Sequence, residues 1–143
     1  MVQVSTFHLE APVARVFPLF TAEGERRWAE GWDPEQLSGA EGRGSAFRTT
    51  HGGRTTHWIV TLYQPTEGRV SYARIAQDSN IGLVDVTCRS AADGGTDVSV
   101  RYTLTAITPQ GERFVREFLD PPHYRAMIDE WRVRTGKALA TDR

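Results

Sequence analysis

The chain has one cysteine, Cys88, one lysine, Lys137, and no apolar run of the length a bilayer span requires. A lone thiol forms no internal disulfide and supplies no zinc site of the paired-cysteine type, so no metal is expected and a reducing compartment fits. Arg15, Pro18 and Glu23 break even the richest apolar stretch, well short of the roughly 18 to 20 residues that cross a membrane, so no span is expected. Residues Met1 to Glu10 lack the basic start and continuous apolar middle of a signal peptide, and the cytoplasm is the expected location. Excess charge of either sign is missing too. Seventeen basic residues face 18 acidic ones, for a formal net charge of -1. The balance is 7 against 8 up to Tyr72 and 10 against 10 after it. With no basic stripe, counterion release from a phosphate backbone has no source, which argues against a nucleic-acid partner.

What is present suits a small globular protein. The 143 residues correspond to one domain, 1–143, and the 39% of hydrophobic residues are enough to build a core. Sixteen of the 17 basic residues are arginine, whose planar fork suits carboxylates and aromatic faces. No repeat, linker or low-complexity segment appears, and glycine and proline punctuate short patterned runs.

A first strand is expected over Val2 to Glu10, with Phe7 and Leu9 on one face. Pro12 opens a short helix carrying Val13, Val16, Phe17 and Phe20, which Pro18 kinks or ends. A second short helix is expected from about Ala22 to Ala29, with Glu23, Arg26 and Arg27 outward and Trp28 inward. Gly31 to Gly44 reads as a loop with a short strand near Glu35 to Ser38. Five strands follow: Ser45–His51, Arg54–Tyr63, Arg69–Gln77, Ile81–Ser90 and Thr96–Ile107, rich in Val, Ile, Thr, Tyr and Trp. The links between them are too short for parallel crossovers, so the strands form an antiparallel meander. From Gln110 to about Leu139 apolar residues recur at helical steps, interrupted by Pro121-Pro122. The class is α+β, and a sheet of about six to seven strands must be covered by that last helix.

This order resembles the helix-grip fold of the START and polyketide-cyclase-like (SRPBCC) superfamily. The resemblance rests on Ala11-Pro12-Val13 opening the first helix and on three segments similar to bacterial members. These are Glu25-Arg26-Arg27-Trp28-Ala29-Glu30-Gly31-Trp32-Asp33-Pro34, Thr56-His57-Trp58-Ile59-Val60 and Val100-Arg101-Tyr102-Thr103-Leu104-Thr105-Ala106. It implies a curved sheet wrapped around the terminal helix, an apolar cavity between them, a small hydrophobic ligand and no cofactor. The superfamily includes lipid carriers, hormone receptors, aromatase and cyclase domains and activators of a heat-shock-protein ATPase, so only the lining of the site can choose among these roles.

Strand alternation places Trp58, Val60 and Leu62 on one face, Val70, Tyr72, Arg74 and Ala76 on another strand's face, and Val98, Val100, Tyr102, Leu104 and Ala106 on a third's. These are the expected inward sets, and they suit a packed core as well as a cavity. Arg74 on Tyr72's face needs an ion pair, for which Asp85 on the next strand is the natural partner, or a ligand carboxylate or phenolate. An opposite register would simply expose it. Trp28 and Trp32 either plug the junction of the short helices or, for Trp32, stack on a ligand. His51 and His57 flank a tight hairpin and read as surface residues, a general acid or base, or metal ligands. Phe118, Tyr124, Met127 and Trp131 are either core or the lid of a pocket.

Three functions follow. The first is binding of an apolar or aromatic molecule by Trp32, His51, Trp58, Tyr72, Arg74, Tyr102 and Phe118. The second is a cyclase, aromatase or dehydratase reaction in the same cavity, with His57, Asp85 and Arg74 as proton-handling candidates. The third is a protein-partner module acting through the outer sheet surface, for which a broad exposed apolar patch is diagnostic. A homodimer is left open. Cys88 reads as a buried strand thiol, and the Gly39-Ala-Glu-Gly42-Arg-Gly44 run lacks the Lys and Ser/Thr of a phosphate loop.

Overall fold

The computed structural model describes residues 1–39 and 41–141, so the expected domain runs at 142 and 143 into positions outside the described residues. Strand β1 (Val2–Leu9) leads into α1 (Val13–Val16), and two 3₁₀ turns follow at Phe17–Phe20 and Gly24–Arg27. After β2 (Glu35–Gln36) come β3 (Ala46–His51), β4 (Arg54–Gln64), β5 (Arg69–Ala76), β6 (Asn80–Ser90) and β7 (Thr96–Ala106). Helices α2 (Pro109–Phe118) and α3 (Pro121–Thr141) close the chain.

All seven strands form one antiparallel sheet in the order β1-β7-β6-β5-β4-β3-β2. Beta-branched residues and two- to five-residue turns account for the meander from β3 to β7, β2 joins β3 through a longer loop, and β1 adds to β7 with Phe7 opposite Val98. At the β4–β5 turn, Gly68 (φ +70°) is held so near the Cys88 carbonyl that any side chain would collide with it.

The terminal helical segment is two helices. The break falls at Leu119-Asp120, and Pro121 starts α3, where its missing amide hydrogen costs nothing. Thr108 caps α2, accepting from the Gly111 amide at 3.0 Å. On α3, Tyr124, Ile128, Thr135, Ala138 and Leu139 are buried at steps of three, four or seven, the stripe laid on the concave side of the sheet. The Tyr124 hydroxyl anchors it by donating to Val100 O at 2.8 Å. No helix among the described residues is long and apolar enough to cross a membrane.

One register shift changes the inner face. Val60 pairs with Tyr72, but Leu62 pairs with Ser71, so Thr61 is the extra residue of a β-bulge. Beyond it, Tyr63 comes opposite Val70 and turns inward, while Leu62 moves to the outer face, against the alternation expected for Trp58, Val60 and Leu62. The outer face of β4, β5 and β6 carries Ile59, Ile75, Ile81 and Leu83, all exposed.

Candidate functional site

Two hollows adjoin on the concave side. The larger is a cleft of about 340 Å³ with Phe47, Val60, Tyr63, Val70 and Tyr72 as its floor. Its rim is formed by Ala22 beside the 3₁₀ turns and Glu41 in the loop after β2. The smaller is a cavity of about 30 Å³, room for one or two waters, walled by Phe20, Glu25, Trp32, Trp58, Tyr102 and Trp131. Phe47 and Tyr72 line both.

The space between the sheet and α3 is therefore mostly filled, and the larger opening lies elsewhere than the resemblance implies. Rings occupy it: Trp131 of α3 lies 5.0 Å from Trp28 and 6.3 Å from Phe20, and Tyr102 lies 5.1 Å from Phe118. No α3 residue lines the cleft, which opens past the 3₁₀ turns and the loop after β2.

Hydrogen bonds to the chain itself fix most of these rings. Trp28 donates to Leu19 O at 2.7 Å, Trp32 to Ala22 O at 2.8 Å, and Trp58 to Thr49 Oγ1 at 3.0 Å. Tyr72 donates to Phe20 O at 2.5 Å, across 52 residues of sequence. With indole and phenol donors used in this way, what these side chains present to the hollows is ring surface. Phe47 stacks on Trp58 with only 6° between planes, and Trp32 meets both edge-on.

Two charged residues lie at this aromatic box, Glu25 on the cavity wall and Arg74 over the Trp58 ring. The Glu25 carboxyl faces the cavity, and burial alone holds it well above the usual carboxylate range. Its position follows from the 3₁₀ turn. Gly24 is pressed against the Pro18 carbonyl with no space for a side chain, and residues three apart in such a turn share a side, so Glu25 points inward with Trp28. Arg74 is the second. Its guanidinium carbon lies 5.2 Å from the centroid of the Trp58 ring, the residue is 8% exposed, and burial depresses its pKa. Burial also pushes the Tyr102 phenol up to about 12, partly opposed by the Arg74 charge. Tyr72 is raised well beyond the ordinary phenol range by the same desolvation.

The structure brings Trp32, Trp58, Tyr72 and Tyr102 around one cavity, with Arg74 against Trp58 and Phe118, half-buried, behind Tyr102. Three expected site residues lie outside it. His51 is exposed at the end of β3. His57 is exposed, paired with Ile75 on the outer face, because its neighbour Trp58 takes the inward position. Asp85 also faces outward, accepting from the Ser71 hydroxyl at 2.5 Å. Arg74 stands opposite Gly82, so the expected Arg74–Asp85 pair does not form; the two side chains leave opposite faces of the sheet. Among the described residues no group of three His, Cys, Asp or Glu side chains suited to a metal ion comes together.

Sequence reasoning missed Glu25, Phe47 and Tyr63. A signal existed for the first, in the three-residue spacing from Glu25 to Trp28. None existed for Tyr63, because Val60-Thr61-Leu62-Tyr63 is compatible with either register.

Comparison with known proteins gives the fold and the family. The protein Ara h 8.0201 superposes with a TM-score of 0.70 at 14% identity, over 98% of each chain. Norcoclaurine synthase from Thalictrum flavum, solved with dopamine and hydroxybenzaldehyde, gives 0.72 at 11% identity over 100% of this chain and 88% of its own. A Thermobifida fusca protein gives 0.71 at 12% identity over 96% and 94%. No curated protein matches the sequence. At such identities the likeness shows the helix-grip fold alone. The family described as "Polyketide cyclase / dehydrase and lipid transport" matches residues 1–130, and the chain belongs to that family.

Proposed function

We propose that residues 1–143 act as one domain that binds a small apolar or aromatic molecule, admitted through the cleft and seated against Phe47, Tyr63 and Tyr72. The observation that carries this reading is the junction of the two hollows: an apolar cleft of about 340 Å³, within the usual size of ligand sites, shares two ring walls with the aromatic cavity behind it. Burying about 200 Å² of ligand surface would contribute roughly 5 kcal/mol at about 25 cal/mol per Å², before the cost of association. Trp32, Trp58 and Tyr102 supply the deeper ring surface, reached by small movements of Phe47 and Tyr72. The norcoclaurine synthase complex supports the reading by analogy, since that relative was solved with two small aromatic molecules.

The test is titration with small aromatic probes followed by side-chain NMR, alongside native mass spectrometry of protein purified from its own host. Saturable shifts at the Phe47, Tyr63 and Tyr72 rings, or a co-purifying small mass, support the proposal. If every probe leaves those rings unmoved and no mass co-purifies, the proposal fails.

A further inference from the structure

Arg74 is a buried cation without a counter-charge. It occupies an inner position on β5, in a row formed by Trp58 of β4 on one side and Gly82 of β6 on the other. Gly82 offers no side chain to pair with it, and a Cβ at that position would collide with Leu104 and with the Thr103 carbonyl. Asp85 leaves the opposite face. Among the described residues, no carboxylate lies within ion-pair distance of the guanidinium, and its Nε is buried with no hydrogen-bond partner.

Leaving a guanidinium in this state is unfavourable. Desolvating such a charge is costly, and arginine does not escape the penalty by deprotonating. Among the described residues its compensation is the face of Trp58, a cation–π contact that strengthens when desolvated. A bound anion would offset the remainder and fill the vacant Nε–H bond. Two neighbours favour that arrangement. The Tyr102 phenol, close enough to feel Arg74's charge, makes no hydrogen bond among the described residues and is held in its donating form. The Glu25 carboxyl on the same cavity is shifted by burial toward its neutral form, in which it does not repel an anion.

We infer that Arg74 and Tyr102 form a receptor for an anionic head group, so that the ligand is an aromatic or apolar carboxylate or phenolate. The aromatic walls select the body of the molecule, and the guanidinium selects its acid. The inference rests on the proposed binding function and narrows it.

The experiment compares two probes of equal shape, 2-naphthoate and the uncharged 2-naphthamide, on the wild-type protein and on Arg74→Gln and Arg74→Lys. Affinity is read by calorimetry, and the Arg74 Nε–H resonance by NMR. The expected results are at least a tenfold preference of the wild type for naphthoate, a displaced Nε–H signal with naphthoate only, and loss of the preference in Arg74→Gln. Arg74→Lys should keep part of the preference. Because the wild-type comparison needs no variant, the inference stays testable if Arg74→Gln fails to fold. Equal wild-type affinity for both probes, or a preference that survives in Arg74→Gln, overturns the anion receptor and leaves the binding function standing. Failure of both probes to bind overturns the anion receptor, and the binding function then stands or falls on the wider probe set and the co-purifying mass.

Discussion

Replacing Phe47 by alanine probes the wall between the two hollows directly. The ring is 1% exposed, stacks on Trp58 at 6.0 Å, and meets Trp32 and Tyr72 at 5.9 and 6.1 Å. Truncating a buried phenylalanine costs about 3–5 kcal/mol, the sum of lost transfer energy and the void left behind. Here the ring already borders open space on two sides, so fewer contacts are lost and no sealed void is created. We therefore expect the lower end, about 3 kcal/mol, corresponding to a fall in melting temperature of roughly 6–12 °C at about 2–4 °C per kcal/mol. Urea denaturation followed by tryptophan fluorescence measures the loss, with an unchanged slope as the control for compactness. At the same time the cleft and cavity should merge, and an apolar naphthalene probe should bind more tightly to the variant than to the wild type. A loss below about 1 kcal/mol, or probe affinity no better than wild type, would refute the view of Phe47 as a packed partition.

Three further outcomes can be checked. The raised pKa of Glu25 means that the folded state favours its protonated form, so its contribution is full below the ordinary value of 4.5 and is lost as pH climbs toward the folded value. Glu25→Gln should remove a slope of up to about 1.4 kcal/mol per pH unit across that range, and an unchanged pH profile of stability would contradict the assignment. Tyr72→Phe strips the buried Phe20 carbonyl of its donor and should cost about 1–3 kcal/mol by the same denaturation assay, with a cost near zero excluding a structural role for this bond. The Cys88 thiol, buried and pushed up to about 12, should resist alkylation at pH 8 until the protein unfolds, and rapid labelling of the native state would disprove its burial.

The fold was legible because its signals are local. Turn residues and β-branched runs placed β3 to β7 to within about two residues, and Pro12, Pro18 and Pro121 marked helix starts and breaks through the absent amide hydrogen. Simple alternation was enough to put Tyr72, Arg74 and Tyr102 inside. It erred at Leu62, because a bulge adds one backbone residue without altering the pattern of side-chain types. His57 and Asp85 looked attractive for their chemistry, yet their positions next to Trp58 and Val84 already forced them outward. Cavity size was not legible at all, since the same rings that can line a void can also interlock and fill it.

The bulge at Thr61 makes the shape of the cleft a matter of strand register rather than side-chain choice. Because Thr61 is the added residue, Val60 and Tyr63 both stand on the floor although they are three apart, whereas unbroken pairing would put Leu62 there in place of the Tyr63 phenol and lose the Tyr63–Glu41 tie at the rim.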